Sequence, residues 1–231
     1  MKDRYDYIDL LKGFGILLVV WGHTDKFLFK EIYAFHMPLF VFLAGMFSFK
    51  QKKLKDILFE KSKSLLIPFF IFSFSWWVIT LILLKIDESN QFSLALSRIF
   101  HILGGSGQNS IFPLANVAIW FLPYLFTTFI IHYFNSKLNF KLQLIGALFI
   151  GSLGFVMSYI GIPLPYSADT AFTLYPFFYI GSIFLDNKNK NSINLSITTI
   201  PFLLVIYYFS YTNNSVVDTS SNNIGNPFLF Y

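Results

Sequence analysis

Three ionisable residues interrupt the first apolar stretch of the chain, DLLKGFGILLVVWGH (residues 9–23), and their spacing sets them on one line. Lys12 and His23 are 11 residues apart, which is about three full helical turns. Asp9 falls within about one-tenth of a turn of the His23 direction. An imidazole in this position can serve as a general base toward a hydroxyl. A lysine is a compact cation suited to phosphate groups. Charge on a membrane helix is costly unless it meets protein or water, so the alignment predicts a lined or wet groove ending at His23. Each residue taken singly has a plainer reading. Lys12 would reach to the headgroups, Asp9 would pair locally with Lys12, and His23 would bond to a loop. Three polar groups on one face favour the groove.

The elements that must position these groups are membrane helices. The chain has 231 residues, 55% hydrophobic and only 13% charged, with 31 Phe and a mean hydropathy of +0.59. Soluble domains carry roughly 25% charged residues, so an all-α polytopic transmembrane bundle is expected. Seven spans are read at 8–23, 32–49, 65–84, 117–134, 142–160, 171–185 and 193–211, with the start of an eighth in NPFLFY. The sixth contains Pro176. The first span is followed by Phe27, Leu28 and Phe29 rather than a small-residue cleavage site, so it reads as a retained helix. Cysteine is absent, which excludes disulfides, thiolate metal sites and a cysteine nucleophile.

Basic residues set the orientation. With the N-terminus cytoplasmic, 13 of the 17 Lys and Arg fall on the inner side, as the positive-inside rule requires. The formal charge of +5 is therefore a topological signal rather than a nucleic-acid footprint, and no nucleic-acid partner is expected. The run KQKKLKDILFEKSK (50–63) is expected to lie against anionic headgroups. His23 then sits at the outer end of the first helix and Lys12 about 16 Å below it. The connection to the second span is short, so His36 returns beside His23. Pro38 is expected in the first turn of that span, where its missing N–H costs little. Asn116 and Trp120 fall at the outer edge after the longest loop, and Asp169 just before the sixth span. Arg98 and His101 read as loop-surface residues, and the Asn/Ser-rich stretch 212–226 as an outer tail or loop.

Several familiar chemistries are absent. There is no GxxxxGK phosphate loop and no HExxH. Ser106 lies in GGSGQ, which fails the GxSxG pattern. Position 28 is Leu28, so His23 does not begin the histidine–aspartate signature of soluble glycerolipid acyltransferases. The histidines lack the spacing of a metal site, and no metal is expected.

RYDYIDLLKGFGILLVVWGH followed by IYAFHMPLFVFLAGMF resembles the opening of the membrane-bound acyltransferase 3 family. IWFLPYLF (119–126) resembles its Trp-Phe-Leu segment, and LPYSADTAFTLYPFFYIG (164–181) a later stretch of its sugar O-acetyltransferase-like members. The resemblance implies transfer of an acyl group, usually acetyl, from cytoplasmic acyl-CoA to a hydroxyl of an extracytoplasmic glycan. It maps the family's essential first-helix histidine onto His23. It maps a basic residue, often Arg, onto Lys12, which keeps the charge but loses the bidentate fork. On this reading His23 and His36 are catalytic, Lys12 and Asp9 face the acetyl-CoA donor, and Trp120, Asp169 and Asn116 contact the sugar. The protein would be multi-pass in the cytoplasmic membrane, its partners the bilayer and a cell-surface carbohydrate. Members have more spans than this chain, so residues 1–231 are expected to form one acyltransferase 3-like domain, incomplete at the C-terminus. Two rival readings are a non-enzymatic glycan or lipid export component and an inactive shortened acyltransferase.

Overall fold

The computed structural model describes residues 6–24, 29–48, 52–83, 99–100, 102–105, 117–161, 164–188, 217–219, 222–226 and 230. Among them there is no strand, only a single isolated bridge between Asp218 and Asn223. The helices are α1 (Asp6–Thr24), α2 (Phe29–Met46), α3 (Leu54–Lys61), α4 (Ile67–Leu83), α5 (Phe121–Asn135), α6 (Phe140–Ile160) and α7 (Ala168–Lys188). The predicted seventh span, 193–211, and four of the six residues of the eighth segment lie outside the described residues.

Among the described residues, two helical stretches are long and apolar enough to cross a membrane, Leu54–Ile79 and Phe140–Ile160. Only 6% and 17% of their apolar windows are buried. A core helix of a water-soluble protein would hide most of such a surface. Meanwhile Thr128, His132, Asn135, Asp169, Thr170 and Thr173 are buried. Polar groups inside and apolar groups outside is the arrangement a bilayer selects.

The chain divides into two compact units. The first comprises Met1–Ser48, Leu174–Thr219 and Asn223–Tyr231; the second comprises Phe49–Thr173 and Ser220–Asn222. In the first, α1 and α2 form an antiparallel hairpin. A Cβ on Gly22 would lie 3.2 Å from Ile32 and from Tyr33, one on Gly15 would press on the Phe40 ring, and the Lys12 ammonium stands 4.4 Å over the Phe47 ring. The seam between α2 and α7 is tighter still. A Cβ on Gly45 would collide with the Phe178 carbonyl, and one on Gly181 with the Phe42 carbonyl. Glycine at both crossings lets the two backbones touch, which is how membrane helices gain contact without a hydrophobic drive. Leu43 and Met46 fill the seam with Leu39, Phe42 and Phe184.

α2 corrects one expectation. It starts at Phe29, so Pro38 stands in the helix interior rather than in its first turn. The ring leaves the Ala34 carbonyl without its helical N–H, a loss that membrane helices absorb through neighbouring groups.

In the second unit the third span also begins early. α3 and α4 make one rod from Leu54 to Leu83, joined by a π-helical turn at Ser62–Leu66. The basic run after Lys53 is thus helical, with Ile57 buried and Lys52 paired to Glu60 at 2.6 Å. Both α3 and the π turn pack on α5, where the Lys61 ammonium sits 3.7 Å over the Phe129 ring, a cation–π contact. Asn135 at the end of α5 donates to the Gln143 carbonyl at 3.0 Å, closing the turn into α6. The Asn139 side chain caps α6 by accepting from the Leu142 N–H at 3.0 Å.

Candidate functional site

The end of α1 and the first turns of α2 carry the strongest chemistry. Thr24 Oγ1 shares its proton between the carbonyls of Val20 and Trp21 at 3.0 and 3.1 Å, bonding the side chain back onto the last turn. One residue earlier, the His23 backbone is helical; its side chain lies outside the described residues. Gly22 touches Ile32 and Tyr33, so the α1 terminus lies against the turn of α2 that leads to His36. This is the proximity expected from the short connection.

His36 is 5% exposed. Its Nδ1 lies 2.7 Å from the Ile32 carbonyl oxygen. A carbonyl only accepts, so Nδ1 carries the proton and, in the neutral ring, Nε2 presents a lone pair. The Tyr33 ring meets the imidazole edge-on at 5.0 Å between centroids. The ring is thus held on two sides, with its basic nitrogen set by a backbone bond rather than by solvent.

At the other end of α1, Lys12 and Asp9 lie 3.8 Å apart, both about half exposed. The local pair named as the plainer reading therefore forms, and Lys12 also covers Phe47. An exposed i,i+3 pair is weak, worth about 0.5 kcal/mol or less, so it leaves the lysine available to a stronger anion.

The remaining predicted residues belong to the second unit. Trp120 closes a short 3-10 turn before α5 and packs on Tyr124 and Phe121 at 5.6 and 6.3 Å. Asp169 is buried in the first turn of α7, where its Oδ1 accepts from the Leu164 N–H at 3.3 Å. The turn before it is strained: Tyr166 and Ser167 adopt φ of 56° and 49°, a region costly for residues with a Cβ. Thr127 Oγ1 donates to the Tyr166 carbonyl at 3.1 Å and steadies it. Asn116 lies outside the described residues, as do Arg98 and His101.

Two features escaped the sequence. α5 carries a buried line of Tyr124, Thr128, His132 and Asn135, spaced at three to four residues, whose signal is helical periodicity of polar rather than apolar residues. The stretch read as a tail contributes Asp218 to the same unit as α1 and α2; a lone carboxylate among Asn and Ser was the available clue.

A family model described as an acyltransferase domain, that of the acyltransferase 3 family, matches residues 5–231. No curated protein and no solved structure matches the chain. With the match running over almost every residue, from the approach to α1 through to Tyr231, the chain belongs to the acyltransferase 3 family, and it is an acyltransferase of the membrane.

Proposed function

We propose that this acyltransferase moves an acetyl or related acyl group from cytoplasmic acyl-CoA to a hydroxyl of an extracytoplasmic glycan. The observation that carries the reading is the α1–α2 hairpin, which sets the helix end bearing His23 against the turn leading to a buried, tautomerically fixed His36. His23 takes the proton of the acceptor hydroxyl as its oxygen attacks the thioester carbonyl carbon. The new C–O bond forms, the C–S bond breaks, and the proton passes to the departing thiolate. His36 orients His23 or the acceptor through its Nε2 lone pair.

Lys12, with Asp9 beside it, receives the donor's phosphates from the inner side. Trp120, Asp169 and Asn116 supply sugar contacts, the indole by stacking and the other two by hydrogen bonds. The N-terminus is cytoplasmic, and the protein lies in the cytoplasmic membrane.

The test is His23→Ala in the full chain, with membranes supplied with labelled acetyl-CoA. Label should no longer reach the endogenous glycan, while the variant remains membrane-inserted at the wild-type level. Undiminished glycan labelling by that variant refutes the assignment.

A further inference from the structure

Among the described residues, three that are not glycine adopt positive φ: Tyr166 at 56°, Ser167 at 49° and Asn222 at 51°. Asparagine visits this region readily, because its short amide bonds locally. Tyrosine, with a ring on its Cβ, is an outlier there, and Tyr166 and Ser167 are consecutive. Such a backbone persists only where its surroundings over-determine it, and it gathers at binding and catalytic sites.

The surroundings do so here from several sides, all within the second unit. The Thr127 hydroxyl on α5 lies 3.1 Å from the Tyr166 carbonyl oxygen and 3.2 Å from that of Pro123, its single proton shared between them. Asp169 Oδ1 accepts from the Leu164 N–H at 3.3 Å, which closes the turn across Tyr166. Gly105, itself at φ 62°, fits between the turn and α5: a Cβ there would lie 2.9 Å from the Tyr166 ring and 3.1 Å from Pro123. The Phe126 ring stands 6.4 Å from the Tyr166 ring between centroids. Yet the turn buries the serine, at 2% exposure, and leaves the larger aromatic side chain partly exposed. Burial of apolar surface would have favoured the reverse, so core packing does not account for the strain.

A partly exposed phenol offers an apolar ring face and a polar tip. A sugar ring offers the complement, C–H bonds on its face and hydroxyls at its edge. Tyr166 also stands beside two residues already proposed to contact the acceptor. Asp169 closes its turn, and the Gly105 backbone links its ring to Pro123, three residues after Trp120.

We infer that Tyr166 is an acceptor-binding residue: its ring, held by the strained turn, packs on the face of a sugar ring of the glycan. The inference rests on the reading of this protein as a glycan acyltransferase with the α6–α7 turn on the outer side. Tyr166 touches the acceptor and not the donor in this role, so its loss weakens glycan binding alone.

The experiment uses the full chain purified in detergent, with labelled acetyl-CoA as donor. The acceptor is glycan extracted from cells whose membranes the wild-type chain labels, freed of esters by mild base. Tyr166→Gly removes the ring and suits the backbone, since glycine takes φ 56° freely. It should raise the KM for the extracted glycan about tenfold, the worth of one aromatic contact, and leave the KM for acetyl-CoA within about twofold. Its Tm should stay within about 4 °C of wild type, because relief of strain offsets the lost ring contacts. Tyr166→Phe keeps the ring face and should stay within about threefold of wild type in both constants.

A wild-type KM for glycan in Tyr166→Gly, alongside an inactive His23→Ala, overturns this inference and leaves the site reading intact. An equal rise in both KM values, or a Tyr166→Phe variant as poor as Tyr166→Gly, overturns it as well. Glycan labelling that survives His23→Ala overturns the underlying site reading instead. If Tyr166→Gly does not accumulate in the membrane, Tyr166→Asn replaces it, because asparagine also tolerates this backbone; a wild-type KM for glycan there refutes the role.

Discussion

Gly45→Ala tests whether the α2–α7 seam is as close as the structure places it. Two effects oppose each other. Alanine is the better helix former by about 1 kcal/mol. Against this, the new methyl would overlap the Phe178 carbonyl, which is backbone and cannot rotate away. Carbon contacts settle near 3.5 Å, so the helices must part by roughly 1 Å, which forfeits a quarter to a half of the dispersion wells across the seam. Leu43, Met46, Phe42 and Phe184 share that loss. Overpacking of this kind costs about 1–3 kcal/mol, so the net change is a destabilisation of up to about 2 kcal/mol. In a chain of this length that lowers Tm by up to about 8 °C.

The control is Gly13→Ala on α1, where a Cβ would meet nothing within 4 Å. There only the propensity term acts, and the change should be neutral or stabilising by up to about 1 kcal/mol. Thermal unfolding in one detergent, followed by size-exclusion of the surviving monodisperse fraction, compares the two. A Gly45→Ala variant that melts at or above Gly13→Ala refutes the seam.

Two further outcomes are expected. His36→Ala should lower acyl transfer by about a hundredfold or more while leaving membrane insertion unchanged; a loss below about tenfold speaks against a role for its Nε2 nitrogen. Thr173→Val removes the hydroxyl whose single proton lies between Asn222 Oδ1 at 2.7 Å and the Asp169 carbonyl at 3.1 Å. That strands a buried acceptor at a cost of about 1–3 kcal/mol, read as a lower melting point, and unchanged melting refutes the bond.

The helices themselves were legible from apolar runs. The ends of α1, α6 and α7 fall within a few residues of the predicted spans, because long apolar runs satisfy their backbone most readily as helices; of these three, α6 is the one long and apolar enough to cross a membrane among the described residues. Where expectation and structure part, a local rule was outweighed. Pro38 was placed near a helix start because proline is cheapest there, yet the helix continues upstream through Phe29 and Glu31. The third span is expected to start at residue 65, yet Ile57 is buried where α3 packs on α5, and the helix runs back through the lysine-rich segment to Leu54. Asn222 at φ 51° anchors the far end of the chain through its carbonyl to Ser158 and through Oδ1 to Thr173. No periodicity announces such a bond, because it joins residues far apart in the chain.

The line of Asp9, Lys12 and His23 was a property of sequence alone. Helical pitch converts residue spacing directly into direction, and apolar surroundings make any charge on that line conspicuous. The same holds for the helical class, for the family motifs and for the nearness of His36 across a short connection. Tertiary structure alone decided which nitrogen of His36 carries its proton, how closely α2 and α7 meet at their glycines, and that Asp218 falls in the same compact unit as the hairpin. These depend on contacts between distant segments, whose geometry is set by packing and by the need to satisfy every buried polar group.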